Sequence, residues 1–341
     1  MKICLLSRFF DLRNAGIGRY SLELRNALRS MGHQVATVSQ DGGIPVPGES
    51  RKYFVYTAFE IAFKIPRGCD IYHACSPLEA LHAPRPLTVF FHDLIPMFRL
   101  KETETGGLLR GFRRWFGSLY FRKVGRVAVA KAEALMSPSE QTKEELIREL
   151  GAENKITVVR HGIRPDLEPR QKKDDTFRVG SLSYLDPRKR IDLLIRAFLE
   201  ADVEGELWIA GKGIDYPRLK ALARGDPRIK FLGFVPDEEL VDFYNSLDVF
   251  IFPTKIEGYG FPMVEAMACK KPVVTLSDAI IPKDIKDRTI VVDDLTRWLK
   301  DPDFSGIDLN DNYRFAKLHD WERCAEEHVK IFEEVLSGSR R

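Results

Sequence analysis

Short β-branched runs alternate with amphipathic stretches along this chain, and the alternation starts twice. In the first series ICLLS (residues 3–7) reads as a strand and a helix follows from about Gly16 to Met31. QVATVS, LTVFFHDL, ALMSPS and ITVVRHGI continue it. The second series runs FRVGSL, a helix at Ile191 to Ala201, ELWIAGKG, a helix near Tyr216, IKFLGFV, a helix at Asp237 to Ser246, DVFIFPT, a helix from Pro262, and PVVTLS. Strand–helix alternation of this kind builds parallel sheets with crossover helices. Two series therefore predict an α/β chain of two doubly wound, Rossmann-like domains facing a central cleft. Ligands in such sheets bind beyond the carboxyl ends of the strands.

The length agrees, because 341 residues exceed what one core usually holds. Glu168 to Thr176, EPRQKKDDT, is polar and aperiodic and reads as the linker. The expected domains are 1–167 and 177–311. A last amphipathic stretch, Asn312 to Leu336, sets Trp321, Cys324, Ala325, Val329, Phe332 and Leu336 on one face. A helix over 312–337 must bury that stripe, and returning to the first domain is one way to do so.

Composition removes several classes. Hydrophobic content of 44% with 30% charged residues describes a globular protein. The longest apolar runs are strand-length and carry charges, too short for a membrane span. The first residues, MKICLLSRFF, hold too short an apolar core for a secretory signal, so a cytosolic protein is expected. Five scattered cysteines without CxxC pairing point to reduced, buried side chains, not a disulfide framework or zinc site. The net charge of +3 is uneven: residues 1–165 carry 25 Lys+Arg against 16 Asp+Glu, and the remainder 28 against 34. The basic half suits an anionic surface or substrate, but no nucleic-acid reading motif accompanies it.

The stretch EGYGFPMVE, Glu257 to Glu265, follows DVFIFPTKI directly. Glu257, Gly258, Tyr259 and Gly260 then occupy a strand-to-helix loop, and Pro262 suits the first helical position. Free amides and the positive helix end at such a loop suit phosphate or sugar oxygens. Two carboxylates eight positions apart can each bind a hydroxyl pair. A nucleotide sugar offers two such sets, one on its ribose and one on its hexose. Alone, each piece has a plainer reading: glutamates favour early helix positions, glycines make turns, and PRKR is a solvated basic turn.

EGYGFPMVEAMACKKPVV resembles the E-x7-E signature of retaining glycosyltransferases of GT-B fold, in glycosyltransferase family 4. RVGSLSYLDPRKRIDLLIRAF, ELWIAGKG, IKFLGFVPDEELVDFYNSLDVFIFPT and HDWERCAEEHVKIFEEVL resemble the C-terminal lobe of that family. NAGIGRYSLELRNALRSMGHQV and VFFHDLIP resemble the N-terminal lobe. The resemblance implies that Glu257 and the amides of Gly258, Tyr259, Gly260 and Phe261 contact the donor sugar and that Glu265 binds the ribose. It implies that Arg188 and Lys189 clamp the diphosphate, with no metal and no cofactor beyond the nucleotide-sugar substrate. His92 would face the anomeric centre and Asp93 would hold its loop. Gly16, Ile17 and Gly18 would form the loop opening the first helix, near phosphate and acceptor. Three positions depart from the pattern: Ser181 in place of arginine, Lys283 in place of glutamate and Lys271 in place of glycine. The resemblance implies transfer of a hexose from a nucleotide diphosphate sugar to a hydroxyl of a glycan or lipid-linked acceptor.

Thr105 to Arg126 mixes Arg110, Arg113, Arg114, Arg122, Lys123 and Arg126 with Leu109, Phe112, Trp115, Phe116, Leu119, Tyr120 and Phe121. Such a helix suits anionic lipid, and equally a buried helix with a solvated basic edge. A nicotinamide oxidoreductase lacks its GxGxxG after the first strand. A sugar-nucleotide epimerase of the same fold and a non-catalytic nucleotide-sugar-binding protein stay open.

Overall fold

The structure, a computed structural model, describes residues 1–11, 15–44, 49–95, 108–153 and 155–338. It divides into two compact units: Met1–Gly162 with Trp321–Arg341, and Ile163–Asp320. Each carries one six-stranded sheet in which all neighbours run parallel.

The first unit runs β1 (Lys2–Leu6), α1 (Ala15–Ser30), β2 (Gln34–Val38), α2 (Glu49–Val55), a π turn (Tyr56–Glu60), α3 (Ile61–Lys64), β3 (Ile71–Ala74), β4 (Leu87–Phe90), α4 (Leu108–Lys131), β5 (Ala134–Ser137), α5 (Glu140–Leu150) and β6 (Ile156–Val158). The sheet order is β2–β1–β3–β4–β5–β6. Strands β3, β4 and β5 are buried throughout, as parallel strands covered on both faces must be. The helix α5 shows how local chemistry sets the ends. The Ser139 hydroxyl accepts from the Thr142 N–H at its start, and Gly151, at φ 66°, stops it in the left-handed region.

The second unit runs β7 (Arg178–Leu182), α6 (Ile191–Ala201), β8 (Glu206–Ala210), α7 (Tyr216–Leu222), β9 (Ile229–Gly233), α8 (Asp237–Asn245), β10 (Val249–Ile251), α9 (Phe261–Ala268), β11 (Val273–Leu276), α10 (Lys283–Lys286), β12 (Ile290–Val292), α11 (Leu295–Lys300) and α12 (Leu309–Lys317). Its order, β12–β11–β10–β7–β8–β9, reverses direction between β7 and β10. That pair flanks the topological switch point, where an open α/β sheet leaves a crevice at its carboxyl edge.

Two segments differ from the sequence expectation. The polar stretch at 168–176 is packed against the second unit, whose boundary lies at Ile163. There Leu167 is buried, the Arg170 N–H donates to Asn245 at 2.6 Å, and Lys172 pairs with Asp248 at 2.5 Å. Polarity signalled exposure of these side chains, not freedom of the backbone. The C-terminal stretch forms two helices, α12 and then α13 (Trp321–Leu336), instead of one. The first packs on α9 in the second unit and the other on α1 in the first. The break at Leu318–Asp320 lets one amphipathic sequence bury its stripe in two places. All five cysteines are buried, and none is in a disulfide.

Candidate active site

The loops after β7 and β10 lie side by side because their strands are neighbours, although some seventy residues separate them. After β7, the Asp186 carboxylate accepts from the Arg188 N–H at 2.9 Å and caps a single 3-10 turn, Pro187–Lys189. That turn aims Arg188 and Lys189 at the β10 loop. Glu257 answers from the other side. Its Oε1 accepts from Lys189 Nζ at 2.5 Å and Thr254 Oγ1 at 2.6 Å and is ion-paired with Arg188 Nη1 at 2.9 Å, an atom that also donates to Ile256 O at 2.5 Å. Lys189, Thr254 and Glu257 are all buried, and the Lys189 ammonium also lies 4.9 Å from the centre of the Phe252 ring.

Burial opposes ionisation of Glu257, but the Lys189 ammonium and Arg188 guanidinium outweigh it and hold the carboxyl below its usual range. Burial lowers the Lys189 ammonium, and Arg188 adds to that effect against the pull of Glu257. Glu257 and Asp186, whose Oδ1 lies 3.8 Å from Arg188 Nε, together hold the two cations in fixed positions near the switch point. Fixed cations of this kind suit a diphosphate.

Backbone bonds fix the Glu257 loop. The Glu257 N–H donates to Ile280 O at 2.9 Å and the Ile280 N–H donates to Lys255 O at 2.8 Å, so residues 255–257 extend the sheet beyond β10. Arg190, at φ 51°, straps three loops together: Nε donates to Pro253 O at 2.7 Å, Nη2 to Thr254 O at 3.0 Å, and Nη1 pairs with Asp278 at 2.8 Å. Sequence reasoning passed over Arg190 and Thr254. The only available signal was the third basic residue of PRKR, whose partners lie 63 to 88 positions away.

Gly260 is the αL cap of α9 at φ 94°, and a Cβ there would meet Met263 Cε at 2.2 Å. Pro262 falls at the second helical position, one place later than expected. Tyr259 is buried, with its ring 5.1 Å from that of Phe261. Gly258 follows Glu257 in the same loop. Glu265 is also buried, and its Oε2 accepts from the Tyr244 hydroxyl of α8 at 2.7 Å. Ser181 and Ser183, at the end of β7, bury hydroxyls with no hydrogen-bond partner among the described residues. Ser183 is a third residue that sequence reading missed. Lys271 donates to Asn245 O at 3.1 Å, and Lys283, exposed at the start of α10, pairs with Asp287 just past its end.

His92, Gly16 and Gly18 belong to the first unit. The two glycines lie within the first turn of α1, not in a loop before it. The helix starts at Ala15, within one residue of the expected start, so the loop that the resemblance implied there is the opening turn of the helix. His92 follows β4. Its Nε2 donates to Cys75 O at 2.9 Å, which leaves Nδ1, 3.2 Å from His161 Nε2, as an acceptor. Both ring nitrogens are thus engaged within the unit. Burial lowers the pKa of His92 to about 4, so the ring is neutral at physiological pH. Asp93 accepts from the Ile95 N–H at 2.9 Å and holds its own turn.

Similarity to known proteins covers both units. The family model described as Glycosyltransferase Family 4 matches residues 14–167, and that described as Glycosyl transferases group 1 matches residues 174–299. The O-antigen chain mannosyltransferase B of Escherichia coli is 24% identical over 291 residues, 77% of this chain and 74% of that protein. Among solved structures, the sucrose-phosphate synthase of Thermosynechococcus elongatus superposes with a TM-score of 0.78 at 19% identity, covering 98% of this chain and 99% of that one. The Anabaena protein HepE, solved with UDP and glucose, gives 0.68 at 16% identity over 98% and 99%. The folds agree as GT-B, and since the two family models between them span most of the sequence, the chain belongs to the group 1, family 4 glycosyltransferases and is an enzyme of that class.

Proposed function

We propose that the protein transfers a hexose from a nucleotide diphosphate sugar to a hydroxyl of a glycan or lipid-linked acceptor, with retention and without a divalent ion. The observation that carries this reading is the Arg188–Lys189–Glu257 cluster, with Lys189 and Glu257 buried, at the β7/β10 switch point. Two fixed cations there offset the charge that builds on a departing diphosphate, the task a metal otherwise performs. Glu257, ionised, accepts from the sugar's hydroxyls, with the amides of Gly258 to Phe261 beside the same sugar. Glu265 takes the ribose hydroxyls in exchange for, or alongside, the Tyr244 hydroxyl. His92 keeps the sugar-facing role that the resemblance implies, as a neutral ring.

In the reaction the bond from the anomeric carbon to the leaving phosphate oxygen breaks, and the acceptor oxygen bonds the same face of that carbon. The acceptor proton passes to the departing phosphate oxygen, so no enzymic nucleophile is consumed. Positioning and electrostatics supply the acceleration. HepE, whose structure holds UDP and glucose, and the E. coli mannosyltransferase support the donor and acceptor classes by analogy.

The test begins with thermal shift against a panel of nucleoside diphosphates and nucleotide sugars, where a donor at a hundred times its Kd adds about 2.7 kcal/mol of stability. The stabilising donor then goes into a product assay with excess chelator, and the anomeric configuration is read by NMR. An inverted product, turnover abolished by chelator, or a free sugar in place of a glycoside would each overturn part of the reading. A free epimerised sugar would favour the epimerase alternative.

A further inference from the structure

Aromatic side chains in the first unit stand in solvent where a packed fold usually hides them. Phe54 is 49% exposed, Phe59 62% and Phe63 91%. They lie on the α2–π–α3 segment, which buries Tyr56, Thr57, Glu60 and Ile61 on its inner side. Phe54 and Phe59 are five positions apart across the π turn, closed by the Ile61 N–H on Tyr56 O, and Phe59 and Phe63 are four apart. Five residues make one π turn and four about one α turn, so the three rings line one side of the segment. Without the extra residue of the π turn, Phe54 would point elsewhere.

The row continues onto a second element. Phe54 sits with its ring centre 5.6 Å from that of Tyr120 on α4, where Leu119 is also exposed. Basic residues border these rings. Lys123 and Arg126 are exposed on α4, Lys52 is half-buried two residues before Phe54, and Arg67 is exposed four after Phe63. Among the described side chains of the segment the one acid, Glu60, is turned inward: it is buried, accepts from the Ile44 N–H at 2.9 Å and lies 3.7 Å from Lys64. Of the basic helix singled out in the sequence, residues 105–107 and the side chains of Arg110, Arg113, Arg114, Trp115 and Phe116 lie outside the described residues.

We infer that this face, Phe54, Phe59 and Phe63 with Leu119, Lys123 and Arg126, seats the protein on an anionic lipid surface. Large exposed rings beside mobile cations match the two layers of such a surface, apolar beneath and negative at the headgroups. A protein partner would need complementary acids at fixed positions; lipid needs only the pairing of apolar and positive groups seen here. Among the described residues no helix is long and apolar enough to cross a membrane, so the contact is peripheral.

Flotation of the full chain with vesicles tests this, comparing phosphatidylcholine alone with phosphatidylcholine containing a third phosphatidylglycerol. The expected result is retention on the anionic vesicles only, weakened by salt, and reduced about tenfold or more by Phe59→Glu with Phe63→Glu. Lys123→Glu with Arg126→Glu should weaken it several-fold. The melting temperature of each variant should match the parent, since no buried atom is altered. No retention at low salt, or equal retention of parent and the double phenylalanine variant, would overturn the inference. Concentration-dependent dimerisation that the phenylalanine variants abolish, without vesicle binding, would instead assign the face to a second copy. Vesicle binding does not depend on turnover, so its failure leaves the transferase reading untouched.

Discussion

In the second unit Glu257 and Lys189 are buried as ions, whereas in the first His73, Tyr20 and His328 are buried as neutral groups. The first unit's network runs one way. Thr88 donates to His73 Nδ1 at 2.8 Å, His73 Nε2 donates to the Tyr20 oxygen at 2.9 Å, the Tyr20 hydroxyl donates to His328 Nε2 at 2.8 Å, and His328 Nδ1 donates to Cys324 O at 2.7 Å. Each acceptor determines the next donor, since His328 Nδ1 meets a carbonyl and so must carry the proton. The chain ties β3, β4, α1 and α13 together without any charge. In the second unit the same depth of burial is tolerated for ions because each carboxylate and cation has its opposite in contact. Charge is kept where an anionic ligand would use it and removed where only packing is at stake.

The largest expected effect comes from unbalancing the ionic cluster. Glu257→Gln leaves the buried Lys189 ammonium without the carboxylate in contact with it and should cost about 3–5 kcal/mol of stability. It should also lower kcat/KM by about 10²–10³. Urea titration and a transfer assay read the two losses separately. Adding Lys189→Met should return much of the stability and none of the activity, and if the double variant regains turnover, the cluster is merely structural.

The neutral network should respond to acid instead. Burial depresses His73 well below its ordinary value and places His328 at about 4. An unfolded histidine titrates near 6.5, so below that pH the unfolded chain binds the extra protons. The stability contribution is complete above about pH 6.5 and is lost as pH falls toward 4, by about 3 kcal/mol for His328. Hydrogen exchange in peptides from α13 should therefore quicken between pH 6.5 and 4.5, and His328→Gln should flatten that response. An α13 whose protection is indifferent to pH over this range would break the contrast between the units.

A smaller effect is expected at the α9 cap. Gly260→Ala forces a side chain into the left-handed region and onto Met263, for about 1–3 kcal/mol, and should raise KM for the donor by shifting the Glu257 loop. A last change sharpens the comparison within the first unit. Glu79, raised to about 7 by burial although Ser76 and Tyr53 both donate to it, is the acid counterpart of the buried histidines. An unfolded glutamate ionises near 4.3, so Glu79 favours folding at low pH and loses that contribution as pH rises from about 4.3 to 7. Glu79→Gln should remove a stability decline over that interval, opposite in sign to the histidine effect, visible by urea titration at pH 5 and 7.5.

Residue patterns made a good part of the site legible. The loop of Glu257, the helix carrying Glu265 and the turn of Arg188 and Lys189 each announce themselves by glycine, proline and charge within a few positions. Their convergence does not. Thr254 and Ser183 are ordinary residues until β7 and β10 become neighbours, and Arg190 looks like a surface cation until its three partners surround it. Histidines 73 and 328 lie 255 positions apart and carry no shared motif, so the Tyr20 hydroxyl between them could not have been foreseen.

By itself the sequence determined the two α/β series, the strand-to-helix loops and the identity of the charged residues, because periodicity and turn chemistry act between near neighbours. Tertiary structure alone decided strand order, and with it which loops meet. It also decided where the C-terminal stretch breaks between α12 and α13, and which aromatic rings remain in solvent beside α4. Those outcomes depend on which surfaces are buried against one another, and burial couples residues by distance in space, which no local pattern records.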